Sequence, residues 1–377
     1  MHRLICFGQW AIILIILSFG LHAQTAEIQE ARLQEALKAM NRMEHEKAVA
    51  LFQEVARNQP YHPLGSFGAL ANRWIVNQGK YGYRAGNREL LEDVDAVIID
   101  FRRRLVANPD DAELKYYIGL CNGLRARVLL AEKDWIGVLV SGYRIIRNFK
   151  SVLRDNSKDP DIVIAFGVFN YYVGLSSGFM KIASWIMHLS GSKEEGLQQI
   201  EFAALKGNYC RYEARSILAY LNLYFESDYP AAKRWLDMLI AEFPENPYYN
   251  FLYAEYNVRT GNPDIDVYLR LIRQRLDSLD PFFRQEYVQR LRLLEGSQAL
   301  LQHDLDRAEG KLLSFLEHFD SEMDYDLASA YLRLGQLYDL RHERQKAREY
   351  YQKTVNLDNR SAAVLEAKKY LDTPYLQ

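Results

Sequence analysis

The stretch Tyr331–Thr354, YLRLGQLYDLRHERQKAREYYQKT, decides the reading of the fold. Tyr331, Leu334, Gly335 and Tyr338 share one helical segment; Ala347 and Tyr351 share the next. Gly335 and Ala347 are the informative pair. Two helices of a hairpin approach closely only where the crossing residues are small, and large aromatics then fill the space beside them.

Three other stretches repeat the arrangement. One carries Gly296, Ala299, Ala308, Leu312 and Phe315 and closes at Asp320; another has Ala232, Leu236, Leu239 and Pro244; an early one has Ala36, Ala39, Ala48, Phe52 and Pro60. These offsets resemble the tetratricopeptide repeat (TPR), W-x2-L-G-x2-Y followed after eight residues by A-x3-F-x2-A-x4-P. Pro60, Pro109, Pro160, Pro230, Pro244 and Pro281 fall at inferred hairpin or repeat boundaries, as helix-stop chemistry requires, and no alternating strand pattern competes. The periodicity predicts helices over 25–42, 45–59, 63–78, 87–107, 111–131, 134–155, 160–174, 178–190, 193–206, 211–226, 230–243, 247–260, 264–279, 282–302, 304–318, 324–340, 343–356 and 361–371. The expected fold is all-α, a right-handed TPR-like α-solenoid of about eight hairpins whose last lone helix caps the final apolar face. Its parts are N-terminal hairpins over 24–158, irregular apolar hairpins over 159–209, and C-terminal hairpins with the capping helix over 210–377.

Charge and cysteines narrow the function classes. The 47 Lys and Arg against 49 Asp and Glu leave no global electrostatic case for nucleic acid, and Arg102-Arg103-Arg104 reads as a solvated helix face. His2 and Arg3 precede an apolar run from Leu4 to Phe19, and Leu21-His22-Ala23 offers a small residue before Gln24. That order describes a secretory signal peptide over 1–23, although the same run is long enough to serve as an uncleaved anchor. Cys6 opens the run instead of following it, so no lipoprotein cleavage site forms. The expected location is the periplasm or envelope of a Gram-negative-like bacterium. Cys121 and Cys210 lie inside separate helical patterns and read as small buried residues, not a disulfide.

The middle of the chain is irregular. No charged residue occurs from Ile162 to Met180, which fits a buried helix pair, a membrane span, or an amphipathic surface segment at 178–190. Phe166-Gly167-Val168-Phe169-Asn170-Tyr171-Tyr172, followed by Gly191-Ser192-Lys193-Glu194-Glu195-Gly196-Leu197, resembles the tetratricopeptide-repeat-39 and fungal inclusion-body-clearance family over about 160–260. In that family an aromatic Tyr-Tyr helix is followed by a Gly-bounded helix start; its usual Pro is replaced here by Gly174 to Gly178. The resemblance implies a TPR interaction protein.

No constellation argues for catalysis. Gly174-Leu175-Ser176-Ser177-Gly178 spells G-x-S-x-G, but a nucleophile elbow needs a strand and a sheet, so a Gly/Ser linker is the better reading. His45-Glu46 and His342-Glu343 begin like a zinc-protease motif and lack its second His; both read as turn-adjacent polar residues. Asp324-Tyr325-Asp326 lacks the Gly and Glu of a calcium loop. Neither a metal site nor a cofactor is expected.

Recognition remains. The chain has 26 Tyr, several as doublets: Tyr116-Tyr117, Tyr171-Tyr172, Tyr248-Tyr249 and Tyr350-Tyr351. In a helical doublet the second ring points about 100° from the first, so one packs inward while its neighbour lines a groove. Groove-facing candidates are Asn170, Tyr171, Asn222, Tyr253, Asn257, Arg290, Ser297, Gln336 and Asp339, whose mixed polarity suits a protein or peptide partner. The expectation is a non-catalytic exported scaffold. A lipid-associated adaptor using 162–190 is the alternative, and a hydrolase using Ser176 the third.

Overall fold

The computed structural model describes residues 28–59, 62–132, 134–156, 159–175, 191–321, 324–357 and 359–376. The expected leader over 1–23 and the expected helix over 178–190 lie outside them. Among the described residues every regular element is helical. In chain order these are α1 (28–41), α2 (His45–Asn58), α3 (Pro63–Tyr81), α4 (Tyr83–Ala107), α5 (Ala112–Ala131), α6 (Trp135–Asn156), α7 (Pro160–Leu175), α8 (Lys193–Lys206), α9 (Arg211–Leu221), α10 (Tyr229–Glu242), α11 (Pro247–Thr260), α12 (Ile265–Arg275), α13 (Pro281–Leu301), α14 (Leu305–Glu317), α15 (Tyr325–Leu340), α16 (Arg344–Asn356) and α17 (Ala362–Asp372). A π-helical turn, Asn222–Glu226, extends α9, and a 3-10 turn, Leu276–Ser278, extends α12.

The turns show the repeat most plainly. Glu44 N donates to Ala39 O at 2.9 Å, Asn262 N to Asn257 O at 2.8 Å, Asp304 N to Ala299 O at 2.9 Å and Glu343 N to Tyr338 O at 2.8 Å. Each bond reaches five residues back, and in each the preceding residue (Met43, Gly261, His303, His342) is left-handed. This is one helix-ending turn, used four times. Asp134 N closes the same loop on Leu129 O at 2.9 Å. In α9–α10 the bond spans one residue more, Asp228 N to Asn222 O at 3.0 Å, because the π turn inserts it. At three of these turns an Asp caps the next helix. Asp134, Asp228 and Asp304 accept from Gly137 N, Ala231 N and Arg307 N at 2.9, 3.0 and 3.3 Å.

Within hairpins the small residues make the predicted crossings. A Cβ on Gly335 would strike the Tyr351 ring, and one on Gly296 would lie 2.9 Å from Leu312 Cγ. Ala36, Ala39, Ala48, Ala232, Ala308 and Ala347 are fully buried. The α7–α8 hairpin is tighter: a Cβ on Gly196 would sit 2.5 Å from Tyr171 N, and one on Gly167 2.7 Å from Ile200 Cγ1. α7 therefore pairs directly with α8.

From α2 to α6 and from α7 to α17 each helix packs on its chain neighbours, and alternate helices touch along one face: α3 with α5, α9 with α11, α11 with α13, α13 with α15, α15 with α17. These odd-numbered helices form an inner row and the even-numbered ones an outer row. The row folds back on itself. α3 packs against α13, Tyr83 Oη donates to Glu286 Oε1 at 2.8 Å, and the Tyr83 and Phe282 rings meet edge to face at 4.9 Å. At the other end α17 reaches the π turn after α9. A hub at the start of α7 ties α1, α5 and α9 together. Asp161 accepts from Asn208 N, Tyr209 N and Cys210 N at 3.0, 2.8 and 2.8 Å, its carbonyl accepts from Tyr116 Oη at 2.7 Å, and Glu30 of α1 accepts from Tyr209 Oη at 2.6 Å.

The apolar run 162–175 packs largely inward, with Tyr172 and Gly174 exposed. Val163, Ile164 and Tyr171 are buried, Ile162, Ala165 and Phe166 pack on the N-terminal core, and Val168 and Leu175 on the central one. No described helix is long and apolar enough to cross a membrane. Cys121 and Cys210 are both free thiols.

Candidate functional site: a tyrosine-lined inner face

The inner row carries its polar groups at its centre. Arg333 of α15 grips Glu255 of α11 with both guanidinium nitrogens, at 3.3 and 3.0 Å, and also donates to Ser297 Oγ of α13. Arg259 donates to Glu255 at 3.3 Å and to Ser329 Oγ at 3.2 Å, and lies 4.9 Å over the Tyr224 ring. Two turns along, Arg290 of α13 pairs with Glu286 at 3.0 Å and approaches Asp326 of α15 at 3.6 Å. Its guanidinium stands over Phe251, Tyr287 and Tyr248 at 5.0, 5.0 and 5.9 Å. Three carboxylates and three guanidinium groups thus lock α11, α13 and α15 into one register.

Burial sets their protonation. Burial pushes Glu255 up, but Arg333 and Arg259 overcome it and hold the carboxyl below its usual value. Burial also pushes Asp326 up; the nearby Glu255 and Glu286 carboxylates add to this, and Arg290 only partly offsets it, leaving Asp326 at about 7. The cluster therefore changes charge near neutrality.

Above this floor the face opens. The Tyr172 ring of α7 is 44% exposed, yet burial raises its hydroxyl, with Arg127 of α5 pulling the other way. Glu213 of α9 reaches solvent, yet burial alone raises its carboxyl. These solvent-reaching, partly desolvated side chains define the candidate recess. Tyr220 of α9 and Tyr248 of α11 complete it, half-buried. Burial raises the Tyr220 hydroxyl most, and Tyr325, Tyr172, Tyr248 and Asp326 add to it, so groups of α7, α11 and α15 lie near this ring of α9. Tyr325 seals its floor, 5.1 Å from the Tyr220 ring and 4.7 Å from that of Tyr224. Among the described residues no cluster of His, Cys, Asp and Glu could hold a metal ion.

The sequence-derived candidates divide. Arg290 and Ser297 belong to the ionic floor. Asn170 bonds Gln199 at 2.9 Å across the α7–α8 hairpin, beside the recess. Tyr171 is the core member of its doublet, its hydroxyl donating to Glu226 at 2.6 Å, and Tyr172 has the open ring. Asn222 is held in the π turn by Leu218 O. Tyr253 points to the outer row, stacked on Tyr268 at 4.4 Å and bonded to Asp237 at 2.7 Å. Asn257 is fully buried, with neither amide atom hydrogen-bonded. Gln336 is half-buried. Asp339 binds Arg344, Tyr351 Oη and Tyr375 N in the last hairpin. Sequence reading missed Tyr172, Glu213, Tyr220, Tyr248, Glu255, Tyr325, Asp326 and Arg333. The doublets pointed to two of them; which ring opens depends on helix rotation, which only packing fixes.

No family model matches the chain, and no curated protein matches it. Among solved structures it is similar to a tetratricopeptide repeat protein from Parabacteroides merdae, at 11% identity over 92% of this chain and 99% of that one, with a TM-score of 0.27. It is similar also to yeast Tom70, at 11% identity over 92% and 95% of the two chains, with a TM-score of 0.30. The repeat assignment rests on the chain's own turns and crossings.

Proposed function

We propose that the chain is a non-catalytic, exported binding scaffold that holds a polypeptide segment of a protein partner, within an assembly of the cell envelope, on its inner face. The recess formed by Tyr172, Tyr220, Tyr248 and Glu213 carries this reading. Its partly open rings offer flat apolar area with a hydroxyl edge, at little entropic cost, and the Glu213 carboxyl beside them suits a backbone and mixed side chains better than a bare apolar ligand. The ionic floor beneath holds the inner helices in place, so the surface is preorganised. Export is supported by the basic tip and apolar run at the N-terminus.

The test is a pull-down from the native envelope with the wild-type chain and with Tyr172→Ala/Tyr248→Ala. The reading expects a partner held by the wild type and lost by the double variant, with circular dichroism unchanged. A partner retained equally by both places binding elsewhere. Gly174 closes α7 near its last turn, and Ser176 to Gly178 lie outside the described residues; on the scaffold reading Ser176→Ala leaves partner capture unchanged.

A further inference from the structure

Helix α6 is apolar on two opposite faces. Ser141 and Val152, almost fully buried, and the half-buried Val138 and Ile145 mark the face that packs on α5, its principal neighbour. Ile136, Val140 and Tyr143 point the other way, 77%, 45% and 56% exposed. At about 100° per residue, Ile136, Val140, Tyr143 and Arg147 fall within about 60° of one another, opposite the α5 contact. A helix with two apolar faces has two partners, and α5 is one.

Charge says what the other is. Within α6 the one acid is Asp155 in its last turn, while Arg144, Arg147, Lys150 and Arg154 are basic. Arg144 and Arg147 are exposed along the apolar stripe. Elsewhere in the outer row exposed positions carry both signs: Arg234, Asp237 and Glu242 on α10, or Lys346, Arg348, Glu349 and Lys353 on α16. A second copy meeting this stripe face to face would set Arg144 and Arg147 against themselves. An apolar stripe with a tyrosine and flanking arginines, free of acids, has the composition of a helix that lies in the headgroup layer of an anionic bilayer.

We propose that the outward stripe of α6 is a peripheral contact surface for an anionic lipid bilayer, separate from the inner recess. The recess then faces away from the lipid, because the outer and inner rows lie on opposite sides of the array.

Sedimentation with vesicles tests this, using the full chain and the chain from Gln24 onward. Vesicles are phosphatidylcholine alone or phosphatidylcholine with a third phosphatidylglycerol. The chain from Gln24 should pellet with the anionic vesicles and not the neutral ones, and added salt should weaken it. Ile136→Asp/Val140→Asp and Arg144→Glu/Arg147→Glu should each lower the bound fraction roughly tenfold or more, in the full chain as a loss of its anionic-lipid-dependent part. Light scattering and melting temperature should stay unchanged. Equal binding to both vesicle types, or binding that survives both variants, overturns the proposal. So does a core-sized fall in melting temperature in the Asp variant, which would mean that the chain's own 176–190 covers the stripe. A change in mass in the Asp variant would point to a second copy and overturns it as well.

Discussion

The last repeats and the middle of the array use the same hairpin and hold it together differently. In α11–α16 small–large crossings such as Gly335 with Tyr351 set the helix spacing, and buried ion pairs tie the inner helices across repeats. In α7–α8 backbone meets backbone at Gly167 and Gly196, and Tyr171 and Lys193 fasten the pair to Glu226 of the π turn at 2.6 and 2.8 Å. The outer faces differ too: α16 is polar with both signs, α6 apolar and basic. The closing turn recurs in the first hairpin and in the last three, with the same bond in α5–α6, and marks the repeat; the contacts between helices are free to specialise. The C-terminal half spends that freedom on rigidity, and the middle on a close hairpin that leaves Tyr172 open.

The largest effect should come from breaking the ionic floor. Arg333→Ala leaves Glu255 buried beside Arg259 alone and should cost about 3–5 kcal/mol. Hydrogen exchange should show the loss in α11–α15 while α1–α6 stay protected, as expected of a repeat array. Uniform loss of protection would erase the distinction between the regions. Gly196→Val should cost about 1–3 kcal/mol or more, because its side chain meets the Tyr171 backbone, which cannot give way as a flexible side chain would. Exchange should then rise in α7 and α8 first. The shared turn should be cheaper to damage: Asp304→Ala removes one capping bond and should lower stability by about 1 kcal/mol in denaturant titration.

A pH dependence sharpens the same comparison. Asp326 is raised to about 7 in the folded chain, so from the unfolded value upward the folded state holds a proton that the unfolded chain has released. Its stabilising contribution is complete below the unfolded carboxylate value of about 3.9 and is lost as pH rises through 7. Glu255, held below its usual value, contributes in the opposite sense and loses its share on acidification. Asp326→Asn should therefore flatten the decline in melting temperature between pH 5 and pH 8. An unchanged slope would show that Asp326 does not titrate in that window.

Much of the fold could be read from residue spacing. Gly335, Gly296 and the buried alanines are local signals, because a crossing needs a small residue wherever it occurs, and the turns end helices by backbone chemistry that neighbours do not alter. Among the described residues the helix ranges agree with expectation to within a few residues, except that 87–107 begins at Tyr83 and the end of 211–226 is a π turn; the expected helix 178–190 lies outside them. The site was less legible. Glu255 and Arg333 stand far apart in sequence and look like ordinary helix-surface charges; they become a buried pair only when three helices stack. Tyr171 and Tyr172 show the limit at its sharpest, since the doublet signals one inward and one open ring but a small helix rotation decides which. The back-folding of α3 onto α13, which Tyr83 and Glu286 report, has no local signature.

The most direct measurement places a photo-crosslinking amino acid at Tyr172 or Tyr248 in the recess, and at Lys353 on the outer row, in cells producing the native chain. The scaffold account predicts that positions 172 and 248 crosslink to one contiguous segment of a single partner and that position 353 does not. Crosslinks from 353 to that partner, with none from 172 or 248, would contradict it.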